Sequence, residues 1–126
     1  MFTHVMIGTN DMDAARRFYD AVLGALGVPS GVMDEKGRCF YNSKYGVFCL
    51  TAPIDGKPAT CNNGGTIGFR AASPEDADAF HAAGLANGGV TCEDPPGVRE
   101  GSGMKMYLAY LRDPDGHKIC ALHSMT

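Results

Sequence analysis

A strand-then-helix pattern occurs twice in this chain at a fixed offset of 62 positions, and this repetition limits the fold more than any single motif does. Ala15, Phe18 and Val22 fall on one face of a helix that the spacing predicts over 12–26. Ala77, Phe80 and Gly84 take the same places on a second helix, predicted to run from Pro74 to about Ala86. The same offset sets His4 against Thr66, Ile7 against Phe69 and Leu23 against Leu85. Asp11 suits the N-cap of the first helix, and Gly27 with Pro29 stops it. Ser73 and Pro74 open the second helix, and Asn87-Gly88-Gly89 closes it.

Three short strands are expected after each helix. In the first unit they lie over 32–34, 38–42 and 47–51, with a leading strand over 2–7. In the second they lie over 90–93, 105–111 and 117–123, with a leading strand over 66–71. The stretch 94–103, rich in Pro and Gly, reads as a loop long enough to move. Residues 52–65 are rich in Pro, Gly and Asn, lack a period and read as a linker. Asp113-Pro114-Asp115-Gly116 reads as a type I turn with a left-handed glycine, so it closes a hairpin.

The fold class expected is α+β: two βαβββ modules forming curved half-barrel sheets around a central cleft. Module one covers about 1–53, the linker about 54–64 and module two about 65–126 of one domain. The helices are expected on the outer faces, with the opposite strand faces lining the cleft. Open sheet edges favour pairing of two copies, so a homodimer is expected.

Composition removes several partner classes. The net charge is −3 and no Lys/Arg cluster occurs, which argues against binding nucleic acid. No apolar run approaches the roughly 20 residues of a membrane span, and residues 1–4 do not begin a secretory signal. The five cysteines (39, 49, 61, 92, 120) are odd in number and form no CxxC pair, so free thiols and a cytoplasmic location are expected. A P-loop, a Rossmann fingerprint and a nucleophile elbow are all absent.

Phe2-Thr3-His4-Val5, Phe18-Tyr19 and Leu23-Gly24 in the first unit resemble the vicinal oxygen chelate superfamily. So do Gly65-Thr66-Ile67-Gly68-Phe69 and Asp113-Pro114-Asp115-Gly116-His117-Lys118-Ile119 in the second. That superfamily includes glyoxalase I, extradiol dioxygenases, and the bleomycin and fosfomycin resistance proteins. The resemblance covers the whole chain. It is specific for fold and loose for reaction, because one scaffold hosts isomerases, dioxygenases, transferases and binders.

The resemblance implies a metal at the cleft centre, held from the first and last strands of each unit. Those positions are His4, Cys49, Thr66 and Cys120, of which only His4 carries the usual ligand type. The expectation is therefore a small-molecule-binding protein of the glyoxalase/bleomycin-resistance type with no cofactor. The alternative is a divergent, glyoxalase-like lyase or isomerase holding a divalent metal (Zn, Ni, Mn or Fe) through His4. A dimer with a purely structural or regulatory role is a third reading. No catalytic residue is assigned. The ligand pocket expected comprises His4, Cys49, Thr66, Arg70, Tyr110 and Cys120. Arg70 shares the Thr66 face by alternation, where it suits a carboxylate or phosphate. Free cysteines most often serve as small buried hydrophobes, which is the plainer reading of Cys49 and Cys120. His117 is expected to be exposed, His123 to face the helix side or the chain end, and His81 to have no role.

Overall fold

The computed structural model describes all 126 residues. Module one runs β1 (His4–Gly8), α1 (Met12–Ala25), β2 (Val32–Met33), β3 (Cys39–Ser43) and β4 (Gly46–Thr51). Module two runs β5 (Ile67–Arg70), α2 (Pro74–Ala86), β6 (Val90–Thr91), β7 (Gly97–Gly101), β8 (Met104–Arg112) and β9 (Lys118–Ser124). Sheet one has the order β1-β4-β3-β2 and sheet two the order β5-β9-β8-β6, with β7 also on β8. In each sheet the leading strand pairs in parallel with the last strand of its module, and the other pairings are antiparallel. The α+β class and the duplicated βαβββ plan are as expected, and neither sheet closes into a barrel.

Strand β7 corrects the loop expected over 94–103. Gly101 pairs with Met104 across a two-residue turn in which Ser102 (φ 50°) and Gly103 (φ 75°) are both left-handed. Such primed turns match the twist of the strands they join. Pro95 and Pro96 conceal the strand in the sequence, since they break the run just before it. Strands β6 and β7 lie end to end along one edge of β8 and together form an interrupted edge strand.

The helices meet each other, and the inward faces of both sheets share one core with them. Glycine makes that approach possible. A Cβ on Gly84 would lie 3.3 Å from the Phe18 ring, and one on Gly89 would lie 2.5 Å from it. The fully buried Phe18 of α1 therefore occupies space that any larger residue at those positions would take. Burying such a ring contributes about 1.5–3 kcal/mol. A row of rings runs from one module into the other: Tyr19 lies 4.8 Å from Phe48 in module one, Phe69 lies 6.4 Å from Phe80 in module two, and Phe48 and Phe69, 5.2 Å apart, make the crossing. The helices cover one face of each sheet, as expected, and meet each other within this shared interior.

Both helices end as their glycines require. Gly27 (φ 87°) follows α1, where Val28 N–H donates to the Leu23 carbonyl and Gly27 N–H to that of Gly24. Asp11 and Ser73 cap the N-termini by accepting from the Ala14 and Asp76 N–H groups.

The closing turn does more than end a hairpin. Asp113 Oδ1 accepts from the backbone N–H groups of Asp115 and His117, each at 2.9 Å, and Gly116 has φ 91°. The turn then reaches into module one. Asp113 Oδ2 accepts from the Tyr19 hydroxyl at 2.6 Å, Asp115 Oδ2 from the Thr9 hydroxyl at 2.6 Å, and Asp115 Oδ1 from Asn10 N–H at 2.9 Å. His117 is buried rather than exposed, and its Nε2 donates to the Gly8 carbonyl at 2.8 Å. A solvent-facing position after a turn is the usual expectation, but here the turn abuts the end of β1. Residues of the linker lie over the same end, where Asn10 and Ala59 exchange two hydrogen bonds.

Candidate functional site

Alternation gives each sheet an inward face and an open one. Register places His4, Met6, Val47, Cys49 and Phe40 on the open face of sheet one. It places Gly68, Arg70, Tyr110, Cys120 and Leu122 on the open face of sheet two. These are the faces expected to carry ligand-binding residues.

A groove of about 990 Å³ receives residues from both modules. Its walls include Phe2 and His4 at the start of the chain, Leu26 after α1, Tyr45 in the β3–β4 turn, and Phe69 and Arg70 of β5. Local bonding fixes this rim. Val47 N–H donates to the Thr3 carbonyl, the Ser43 hydroxyl to the Gly46 carbonyl, and Tyr45 N–H to Ser43 Oγ. Thr3 Oγ1 and His4 Nδ1 lie 2.9 Å apart and hold the imidazole against its neighbour. The Arg70 guanidinium lies 4.9 Å from the centre of the Tyr45 ring, bridging the modules across the groove. A second, smaller hollow of about 480 Å³ shares Tyr45 and Arg70 and adds His123.

Of the six residues expected at a pocket, His4 and Arg70 line the main groove, and Cys49, Thr66, Tyr110 and Cys120 do not. Cys49 is fully buried between its register partners Met6 and Phe40. Cys120 is buried too, with Gly68 and Tyr110 as register partners. Thr66 is exposed just before β5 begins. Tyr110 lies under the Lys118 ammonium at 5.1 Å. Tyr107, on the opposite face of β8, donates to Asp78 at 2.6 Å. His123 faces inward, with Nδ1 3.0 Å from the Ala71 carbonyl, and His81 Nε2 lies 3.0 Å from Thr91 Oγ1.

The donor set at the implied metal positions does not fit a catalytic metal. Burial pushes the Cys49 thiol up and the Cys120 thiol to about 11, so each would have to give up a tightly held proton to bind an ion, and Thr66 offers only a neutral hydroxyl. His4 pairs in register with Val47 rather than with Cys49. No group of three or more His, Cys, Asp or Glu side chains is placed to hold an ion.

Sequence reasoning missed Phe2, Lys44 and Tyr45 as groove residues. The signal available was an aromatic residue in a tight turn, Ser43-Lys44-Tyr45-Gly46, where 65% of Tyr45 stays exposed. It also missed the Thr9, Tyr19, Asp113, Asp115 and His117 interlock, whose partners are far apart in sequence.

No helix is long and apolar enough to cross a membrane. A family model, the Glyoxalase/Bleomycin resistance protein/Dioxygenase superfamily, matches residues 1–121. No curated protein matches the chain. Among solved structures, a glyoxalase/bleomycin resistance protein from Albidiferax ferrireducens T118 is 62% identical, with 98% of each chain covered and a TM-score of 0.95. A glyoxalase/bleomycin resistance protein/dioxygenase family enzyme from Burkholderia phytofirmans PsJN shares the fold at 16% identity, with 98% of each chain covered and a TM-score of 0.72. The lactoylglutathione lyase from Agrobacterium tumefaciens shares it at 21% identity and a TM-score of 0.66, with 98% of this chain and 92% of that one covered. By the extent of the family match and the identity to the Albidiferax protein, the chain belongs to the glyoxalase/bleomycin resistance protein/dioxygenase superfamily.

Proposed function

We propose that this chain is a small-molecule-binding protein of the glyoxalase/bleomycin-resistance type that works without the superfamily's usual metal set. The observation that carries the reading is the groove between the modules, which joins His4 of β1 to Arg70 of β5. A groove of about 990 Å³ suits a ligand of drug or metabolite size. The metal positions, by contrast, hold neutral buried thiols and a threonine, so the alternative of a lyase or isomerase built on His4 lacks a ligand set. No catalytic residue is proposed.

The working unit proposed is a cytoplasmic homodimer. Support for the dimer comes from the unpaired edges β1, β2 and β5 and the exposed apolar residues Val32 and Val90 on edge strands. Support for the compartment comes from the five free thiols.

A thermal-shift screen of the purified, untagged protein against antibiotics, thiol conjugates and catechols tests binding, with elemental analysis alongside. Saturable stabilisation that is weakened by substitutions at Arg70 is expected. Failure of every class to bind would remove the reading. Stoichiometric transition metal in the protein, lost in His4→Ala, would replace it with the lyase or isomerase alternative.

A further inference from the structure

We propose that the groove selects a small organic anion with a flat apolar body. This rests on the small-molecule-binding reading and names the ligand class. The chain carries 14 acidic against 11 basic residues, yet none of the side chains lining the groove is Asp or Glu. The adjoining hollow that shares Tyr45 and Arg70 lacks them as well. Two cations stand at the rim. The Lys44 ammonium lies 5.0 Å and the Arg70 guanidinium 4.9 Å from the centre of the Tyr45 ring.

Neither cation has a carboxylate partner, because the ion pairs of the chain join Arg38 to Asp34 and Lys118 to Glu93. The α1 C-terminus also borders the groove, and the negative end of a helix would repel an anion. That effect is blunted because the Leu23 and Gly24 carbonyls already accept backbone N–H groups from Leu26, Gly27 and Val28. A carboxylate in front of Arg70 would gain two parallel, charge-assisted hydrogen bonds, whereas an ammonium would meet like charge. The lining also includes Phe2, Leu26 and Phe69, which offer an aromatic or alkyl body apolar surface.

Three probes of one shape separate charge from body: 2-naphthoate, 2-naphthylmethanol and 2-naphthylmethylammonium, titrated by calorimetry at low and high salt. Naphthoate is expected to bind at least about tenfold more tightly than the alcohol, with the ammonium weakest, and salt should erode its advantage. Arg70→Gln should remove most of that advantage while leaving the alcohol unchanged, and Arg70→Lys should restore part of it. Lys36→Gln, in the turn between β2 and β3 and away from the groove, should change nothing. Equal binding of acid and alcohol, or an unchanged preference in a folded Arg70→Gln variant, would overturn the anion selection and leave the binding reading standing. Failure of all three probes would overturn this proposal, and the binding reading would fall with it only if the broad screen also found no ligand.

Discussion

Tyr19 of α1 and Asp113 of the closing turn, 94 positions apart in sequence, are joined by a buried hydrogen bond of 2.6 Å from the phenol to the carboxylate. Burial pushes the Asp113 carboxyl above its ordinary value, and the Tyr19 hydroxyl, which favours the ionised form, opposes that rise. A folded-state value above the unfolded one means that the native protein binds the proton more tightly, so stability falls as pH rises through that window. Tyr19→Phe removes a donor from a buried carboxylate, at a cost of roughly 1–3 kcal/mol. The loss should be larger at about pH 7 than at about pH 4, because the bond favours the ionised carboxylate. Urea midpoints of both proteins at the two pH values check this, and an equal loss at both would contradict it.

Thr9 and Asp115 form the second link of the same interlock, with Thr9 buried. In a double-mutant cycle, Thr9→Val and Asp115→Ala should each destabilise the protein. Their effects should be non-additive by about 1 kcal/mol, because the second change removes a bond that the first has already broken. Strict additivity in denaturant titrations would show that the contact contributes nothing.

Two glycines should respond oppositely to alanine. A Cβ on Gly31 would lie 2.3 Å from Cys39 Sγ and 2.7 Å from the Tyr41 ring. Asp20 beneath it accepts from both Gly31 N–H and the Tyr41 hydroxyl, so the site has no slack. Gly31→Ala should cost roughly 1–3 kcal/mol. Gly24, within α1, has nothing within 4 Å of its added Cβ. Gly24→Ala should stabilise by about 0.5–1 kcal/mol through helix propensity. Thermal midpoints that moved in the same direction would refute the contrast.

Thiol reactivity should follow burial. Cys39, Cys49 and Cys120 are buried and pushed upward by burial, while Cys61 is exposed and Cys92 half-buried. Ellman's reagent at neutral pH should modify Cys61 quickly and Cys92 more slowly, with the remaining three reacting only on unfolding. Rapid loss of Cys49 or Cys120 in the native protein would show that the open face of its sheet is not closed over the sulfur.

The fold was largely legible because its signals are local and duplicated. The spacing of Ala15, Phe18 and Val22, repeated at Ala77, Phe80 and Gly84, marks two inward helix faces, and Asp11, Ser73, Gly27 and Gly88 mark helix ends. Strand β7 was hidden because Pro95 and Pro96 mask a strand whose turn, Ser102-Gly103, is itself well formed. Of the candidate site, His4 was pointed to by the family resemblance and Arg70 by alternation along β5. Tyr45 did not, because an aromatic residue in a turn has no period to reveal it.

The sequence by itself determined the two βαβββ units, their caps, and which residues of each strand share a face, since all of these depend on neighbours a few positions apart. Only the tertiary structure decided that Phe18 would sit against Gly84 and Gly89, that Asp113 and Asp115 would bond Tyr19 and Thr9, and that Arg70 would reach Tyr45. Those contacts join residues from different modules, and their partners are chosen by how two preformed units fit together, which no local pattern encodes.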